Sequence, residues 1–252
     1  MGVAAVIFAG VIGLIVGSFL NVVAHRLPRG ESVARPASRC PGCGEPIKPY
    51  DNIPVLSWVL LRGRCRNCGA PISARYPLAE LATGLLWAAV VAARDDAAGI
   101  ALGLILVTAL VPIVLVDLEH RLIPNLITGP AAVAALIAGL ALGLDGVPEQ
   151  LIAGAAAGGF FLAAALAYPR GMGMGDVKLA GLMGLCLGRA VAPALMIALL
   201  SGALIGGIVM ARLGAKVGRK TAVPFGPFLA LGAVVALFAG DAIVDWYTGT
   251  YL

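Results

Sequence analysis

A 252-residue chain that is 60% hydrophobic and 12% charged, with a mean hydropathy of +0.98, cannot bury its apolar surface as a soluble globule. Soluble domains carry about 25% charged residues. The net charge of +5 comes with no basic stripe interleaved with aromatics, so nothing argues for nucleic acid as a partner.

The uncharged runs predict an all-α integral membrane protein of about eight transmembrane helices, at 1–24, 78–93, 97–116, 122–144, 151–168, 177–188, 190–211 and 221–240. The first run sits where a signal peptide would. It lacks a basic leader and a small-residue cleavage site, and is read as a retained span. Residues 177–188 are short: as a helix they cover about 18 Å of a roughly 30 Å hydrocarbon layer. Either Arg189 snorkels at the end of a short span, or segments six and seven form a re-entrant pair.

Residues 25–77 are the one sizeable polar segment and are expected to form a small zinc-knuckle domain between helices 1 and 2. Residues 78–252 would form the multi-helix membrane domain. The polar segment carries two CxxC pairs, Cys40/Cys43 and Cys65/Cys68, separated by 21 residues. Each pair is followed by glycine (Gly44, Gly69), which suits a tight turn that brings backbone amides toward thiolates. Four thiolates so spaced fit a closed, structural tetrahedral Zn2+ site, and Arg39, Arg64 and Arg66 stand where they could offset its formal −2 charge. Two disulfides or a redox pair are the alternatives, disfavoured if the segment faces the reducing cytosol. Cys186, alone in an apolar run, reads as a packing residue.

Lys and Arg set the orientation. Nine lie between Ala24 and Tyr76. With alternating spans, Arg121, Arg170, Lys178, Arg212, Lys216, Arg219 and Lys220 fall on the same side, against Arg94 and Arg189 opposite. This 16-to-2 split predicts that side to be the cytosol. Asp95, Asp96, Asp145, Glu149, Asp241 and Asp245 fall in the outer loops.

Two acidic residues differ from the rest. Asp117 in "IVLVDLEHRLIPN" and Asp176 in "GMGMGDVKL" each stand at the cytosolic junction of an apolar span and a short polar turn. An ionisable group at membrane depth points to function and to a partner. Here the partner is the other aspartate. Two close carboxylates share a proton, so one can activate water while the other acts as acid. Such chemistry needs no catalytic metal. Glu119 is a rival to Asp117, one that would face water with His120 and Arg121. Lys178 could pair with Asp176 or with lipid phosphate, and Glu80 with Arg75. The alternating glycines Gly171, Gly173 and Gly175 would let a substrate strand approach the backbone, or else they make a plain glycine-rich connector.

Taken together, these stretches resemble the bacterial type IV prepilin peptidases, membrane aspartic proteases of the GxGD kind. The resemblance rests on "GSFLNVVAHRLPRG" (Gly17–Gly30), the paired CxxC segment, "DNIPVLSW" (Asp51–Trp58), "RGRCRNCGAPISARYPLAEL" (Arg62–Leu81), "DLEHRLIPN" (Asp117–Asn125) and "GMGDVKL" (Gly173–Leu179), in this order. It implies Asp117 and Asp176 as the catalytic pair, with Gly173, Gly175 and Lys178 completing the active-site motif. Implied too are a bacterial inner (cytoplasmic) membrane location, an active site facing the cytosol, and cleavage of basic leaders from prepilins and pilin-like secretion subunits. Relatives with the cysteine segment also N-methylate the new N-terminus with S-adenosylmethionine. For that activity Gly63, Arg75, Tyr76 and Glu80 are candidates by resemblance only. A peptidase whose zinc segment only recognises substrate is the alternative. A zinc-knuckle scaffold or a transporter is a third reading, though a transporter should show repeated halves and mid-span polar residues.

Overall fold

Backbone amides and carbonyls inside a bilayer have no water to bond, so apolar runs of this length satisfy them internally as helices. The computed structural model describes residues 2–168, 172–214 and 223–251. Arg170, Gly171, Lys216, Arg219 and Lys220, which enter the charge tally and the glycine repeat, lie outside them. The chain divides into two compact units, Met1–Asp95 and Asp96–Leu252.

In the first unit, α1 (Val3–Arg26) packs along α3 (Arg75–Ala93). Glycines set the closeness of this seam. A Cβ on Gly13 would stand 2.9 Å from the Gly84 Cα, and one on Gly17 would stand 2.8 Å from the Glu80 Cα. Small residues let membrane helices approach until their backbones touch, and the gain is dispersion along the whole seam. The segment between the two helices carries the short α2 (Leu56–Leu60) and two isolated antiparallel bridges, Arg39 with Pro46 and Arg64 with Pro71.

The second unit contains α4 (Ala97–His120), α5 (Asn125–Leu142), α6 (Val147–Ala167), α7 (Met174–Leu187), α8 (Val191–Leu213) and α9 (Gly226–Tyr251). Its centre is α4, capped by the Asp96 carboxylate, which accepts the Gly99 amide at 2.5 Å. Leu106, Val107, Leu110, Ile113 and Val116 are buried along α4. Asp117 continues the stripe of Ile113 and Val116, so helical periodicity alone carries a carboxylate into the core. Arg121 then ends α4 in the left-handed conformation, at φ 54°.

Seven helical stretches among the described residues are long and apolar enough to cross a membrane, and one of them runs over Met174–Leu213. This stretch is broken at Gly188 (φ 55°) into α7 and α8. Gly181 of α7 lies against Gly158 of α6, and Gly184, further on, lies against Ala153. Thus α7 runs antiparallel to α6. Beyond the break, Ala190 meets Gly240 of α9, and Gly202 of α8 meets Phe225, just before the start of α9. Thus α8 runs antiparallel to α9 and returns toward the end where α7 began. The short sixth segment therefore lies along α6, with the chain turning back at Gly188. It also starts three residues earlier than its apolar pattern suggests, which lengthens it to about 21 Å. Arg189 closes its far end, bonding Asp245 at 2.9 Å and Asp241 at 3.7 Å, while its amide donates to Glu149 Oε1 at 2.7 Å. These residues, assigned by sequence to one side of the membrane, do gather at one end of the unit.

Candidate active site and cysteine centre

At the opposite end, the chain enters α7 through Gly173, whose extended backbone (φ −85°, ψ 150°) caps the helix. Asp176 is the third helical residue, and its Oδ2 accepts the Gly173 amide at 3.1 Å. An anionic side chain in the first turn also suits the positive end of the helix dipole. The α4–α5 turn (Arg121, Leu122, Ile123, Asn125) faces this helix start. Together they wall a cavity of about 340 Å³ onto which Gly173, Met174, Gly175, Asp176 and Lys178 open.

Within the glycine motif, Gly173 is extended and borders the cavity, whereas Gly175 has a packing role. Gly175 is already helical, and a Cβ there would stand 2.8 Å from the Ile123 Cβ. Its missing side chain admits the α4–α5 turn of the same chain. Lys178 turns to Asn125, donating to Oδ1 at 2.8 Å, and so ties α7 to the start of α5. Glu119 lies on the exposed side of α4 with its carboxylate 3.7 Å from His120 Nε2.

Asp117 is 5% exposed and lies outside the cavity lining. Its Oδ2 accepts the Gly226 amide at 2.8 Å, across 109 positions of sequence. A Cβ at Gly226 would stand 2.7 Å from that oxygen, so only glycine allows the approach. The corner is braced by aromatics: Phe225 packs 6.2 Å from Phe161 and 6.1 Å from Phe228, centroid to centroid. Sequence reasoning missed Gly226. Its only trace is a glycine flanked by prolines and phenylalanines, "VPFGPF", at the start of an apolar run. Asp117 near the end of α4 and Asp176 at the start of α7, which faces the α4–α5 turn, stand at the same end of the unit. One carboxylate is reachable from the cavity and the other is buried and held by an amide, an arrangement that can divide base and acid roles over one shared proton.

The cysteine centre lies in the first unit. The Sγ atoms of Cys40, Cys43, Cys65 and Cys68 lie within 4.8 Å of one another, and all four are free thiols. Cys40 Sγ and Cys68 Sγ are 3.7 Å apart. A disulfide would need about 2.05 Å, whereas a tetrahedron with metal–sulfur bonds of about 2.3 Å has edges near 3.8 Å. The donor set therefore fits a thiolate-bound metal.

Two copies of one motif, "RCPGCGEPI" and "RCRNCGAPI", build this centre. In the first, Cys40 N bonds Glu45 O, Gly44 N bonds Cys40 O, and Ile47 N bonds Ser38 O. In the second, Cys65 N bonds Ala70 O, Gly69 N bonds Cys65 O, and Ile72 N bonds Gly63 O, at the same offsets. Gly44 and Gly69 take φ of 73° and 71°, as the knuckle turn requires. Arg66 serves Asp51 more directly than the thiolates: it bonds both carboxylate oxygens, with the shortest contact 2.6 Å. That guanidinium holds the Asp51 carboxyl below the usual carboxylate range.

Of the four methyltransferase candidates, Gly63 has φ 66° and lies under the Trp58 ring, where a Cβ would stand 2.9 Å from Cζ2. Glu80 accepts the Val55 amide at 2.7 Å. The Tyr76 carbonyl accepts Asn21 Nδ2 at 3.1 Å, and Arg75 opens α3. Gly63 and Glu80 thus take part in shaping the first unit.

Two family models match the chain. The Bacterial Peptidase A24 N-terminal domain matches residues 11–94, and the Type IV leader peptidase family matches residues 104–211. A "Prepilin leader peptidase/N-methyltransferase" of Myxococcus xanthus is 40% identical over 223 residues, which are 85% of this chain and 66% of that protein. Proteins of the same name from Aeromonas hydrophila (38% over 271 residues, 95% of this chain and 92% of the relative) and Pseudomonas aeruginosa (35% over 266 residues, 94% and 91%) are similar along nearly their whole length. No solved structure matches the chain. With its four-cysteine unit, its multi-pass membrane helices and relatives of this identity over most of its length, the chain belongs to the type IV leader peptidase family.

Proposed function

We propose that this chain is a membrane aspartic endopeptidase that removes the basic leader from type IV prepilins and pilin-like secretion subunits, with Asp117 and Asp176 as the catalytic pair. What supports the reading is that two sequence-distant carboxylates lie at the same end of the second unit, one buried and one open to a 340 Å³ cavity. The ionised member takes a proton from water as the oxygen attacks the scissile carbonyl carbon, and the protonated member donates to the carbonyl oxygen. Collapse of the diol breaks the C–N bond: the leaving amine takes a proton from the pair, and one diol hydroxyl returns a proton to it, leaving a carboxylic acid and the starting single-proton pair. In this mechanism the two groups share a single proton. Gly173 and Gly226 each direct an amide N–H at one of the carboxylates, and Lys178 with Asn125 ties together two walls of the cavity.

The lysine and arginine asymmetry supports a cytosolic active site in the bacterial inner membrane, where leaders are exposed. Zn2+ held by Cys40, Cys43, Cys65 and Cys68 would be structural: four protein ligands leave no open position, and metal binding supplies folding energy to a segment with little core. The names of the relatives support a second activity, N-methylation of the new terminus. S-adenosylmethionine supplies the methyl cation equivalent for that transfer. A peptidase without methyl transfer is the competing reading, favoured by the architectural use of Gly63 and Glu80. Purified protein, a model prepilin and labelled S-adenosylmethionine test both. A shortened product is expected, and its N-terminus should carry label; an uncut substrate contradicts the proposal, and cut but unlabelled product selects the competing reading.

A further inference from the structure

The short helix α2 presents an apolar face that the first unit leaves uncovered. Leu56, Val59 and Leu60 are all exposed, Leu60 at 72%, and their 3- and 4-residue spacing puts them on one side of α2, with Ile53, also exposed, in the bend just before it. The other side faces inward. Ser57 is buried, donating to Tyr50 O and accepting the Ile53 amide, each at 2.9 Å, and Trp58 Nε1 donates to Ile72 O at 2.9 Å. The chain enters α2 through Val55 at φ 60°, a conformation strained for a β-branched residue. What holds it there is the Glu80 carboxylate, which accepts the Val55 amide at 2.7 Å.

That latch fixes the depth of α2. Glu80 lies five residues into α3, about 7 Å below Arg75 along the axis, less the few ångströms by which helical side chains lean toward the N-terminus. Arg75 and Tyr76 mark the usual interfacial level of a spanning helix. Leu78 and Leu81, also exposed, begin the outward apolar stripe of α3 on either side of that depth. An amphipathic helix in a membrane interface sinks its apolar face roughly 5–10 Å into the headgroup and acyl boundary, which is the level the latch imposes. Arg62 and Arg64, exposed just after α2, supply cations for anionic headgroups.

We propose that α2 is a membrane-interfacial helix. Ile53, Leu56, Val59 and Leu60 insert among lipid headgroups and upper acyl chains, and Glu80 holds the cysteine unit flat against the bilayer.

The test uses full-length protein in nanodiscs of phosphatidylcholine and phosphatidylglycerol, with Leu60→Trp read as the emission gained over the parent protein. In lipids brominated near the headgroup end of the acyl chain, the added emission should lose most of its intensity, and aqueous iodide should quench it weakly. Strong iodide quenching with no loss in brominated lipid overturns the proposal in favour of a solvent-facing helix. Quenching by neither overturns it in favour of a protein occupant, such as a second copy or a substrate helix. Adding Glu80→Ala should raise iodide access to the indole. Zinc content of the variants reports folding, and Val59→Trp carries the same measurement if Leu60→Trp loses its metal.

Discussion

Gly226→Ala is the sharpest single perturbation of the proposed catalytic pair, because it adds one methyl group at a contact already closed. That methyl would lie 2.7 Å from Asp117 Oδ2, 3.1 Å from its Cγ and 3.3 Å from its Cβ. Ordinary carbon contacts optimise near 3.5–4.0 Å, so the carboxylate must retreat by roughly 0.7 Å or more. A retreat of that size stretches the 2.8 Å amide bond beyond useful length. The bond is charge-assisted when Asp117 is ionised and contributes about 1.5–3 kcal/mol. At about 1.4 kcal/mol per factor of ten, the loss corresponds to a ten- to hundredfold fall in kcat/KM, and sub-ångström misplacement of a reacting group acts in the same direction. The assay is cleavage of a synthetic leader peptide by detergent-solubilised enzyme, with the melting temperature measured alongside. Full activity in a well-folded Gly226→Ala protein would refute the assignment of Gly226 as the residue that positions Asp117.

Other outcomes follow from the same geometry. Metal analysis should find close to one zinc per chain, lost on serine substitution at Cys40, Cys43, Cys65 or Cys68; metal-free protein with an intact fold contradicts the structural role. Arg66 keeps the Asp51 carboxylate ionised to lower pH than usual, so the stabilisation is complete above the ordinary aspartate value of about 3.9 and disappears as pH falls through the depressed folded value. Asp51→Asn should therefore melt below wild type at pH 7, and the gap should close on acidification; a gap independent of pH denies the ion pair this role. At Gly184, a side chain would meet the Ala153 carbonyl and the Gly154 Cα, the latter at 2.6 Å. Overpacking of this kind costs roughly 1–3 kcal/mol, so Gly184→Val should lower the melting temperature by several degrees, and an unchanged melt would deny the α6–α7 seam its closeness.

The features legible in the sequence are those whose signal is local. Long uncharged runs mark the membrane helices because a bilayer demands about 20 apolar residues wherever it is crossed. The two CxxC pairs mark the cysteine centre because ligand spacing is short-range, although the repeated nine-residue motif shows more than the cysteines alone. Ile113, Val116 and Asp117 share a face by helical period, which makes the burial of that carboxylate readable. The boundary at 177 misleads because Gly175 and Asp176, although helical, do not look apolar. The turn at Gly188 is hard to read because a tight reversal inside an apolar run leaves almost no polar loop. Gly175 carries a motif glycine whose reason lies 52 positions upstream, in Ile123. Gly226 acts through a backbone N–H on a residue 109 positions away, and no side-chain pattern encodes such a contact. The same holds for the bond from Val55 to Glu80.

The most direct test of the central assignment is prepilin cleavage by purified Asp117→Asn and Asp176→Asn proteins, compared with wild type in the same detergent. The substitutions keep shape and hydrogen-bonding capacity while removing the titrating carboxyl group. Each should fold, retain its zinc and leave the leader uncut. Wild-type cleavage by either variant would remove that aspartate from the mechanism, and with it the two-carboxylate account.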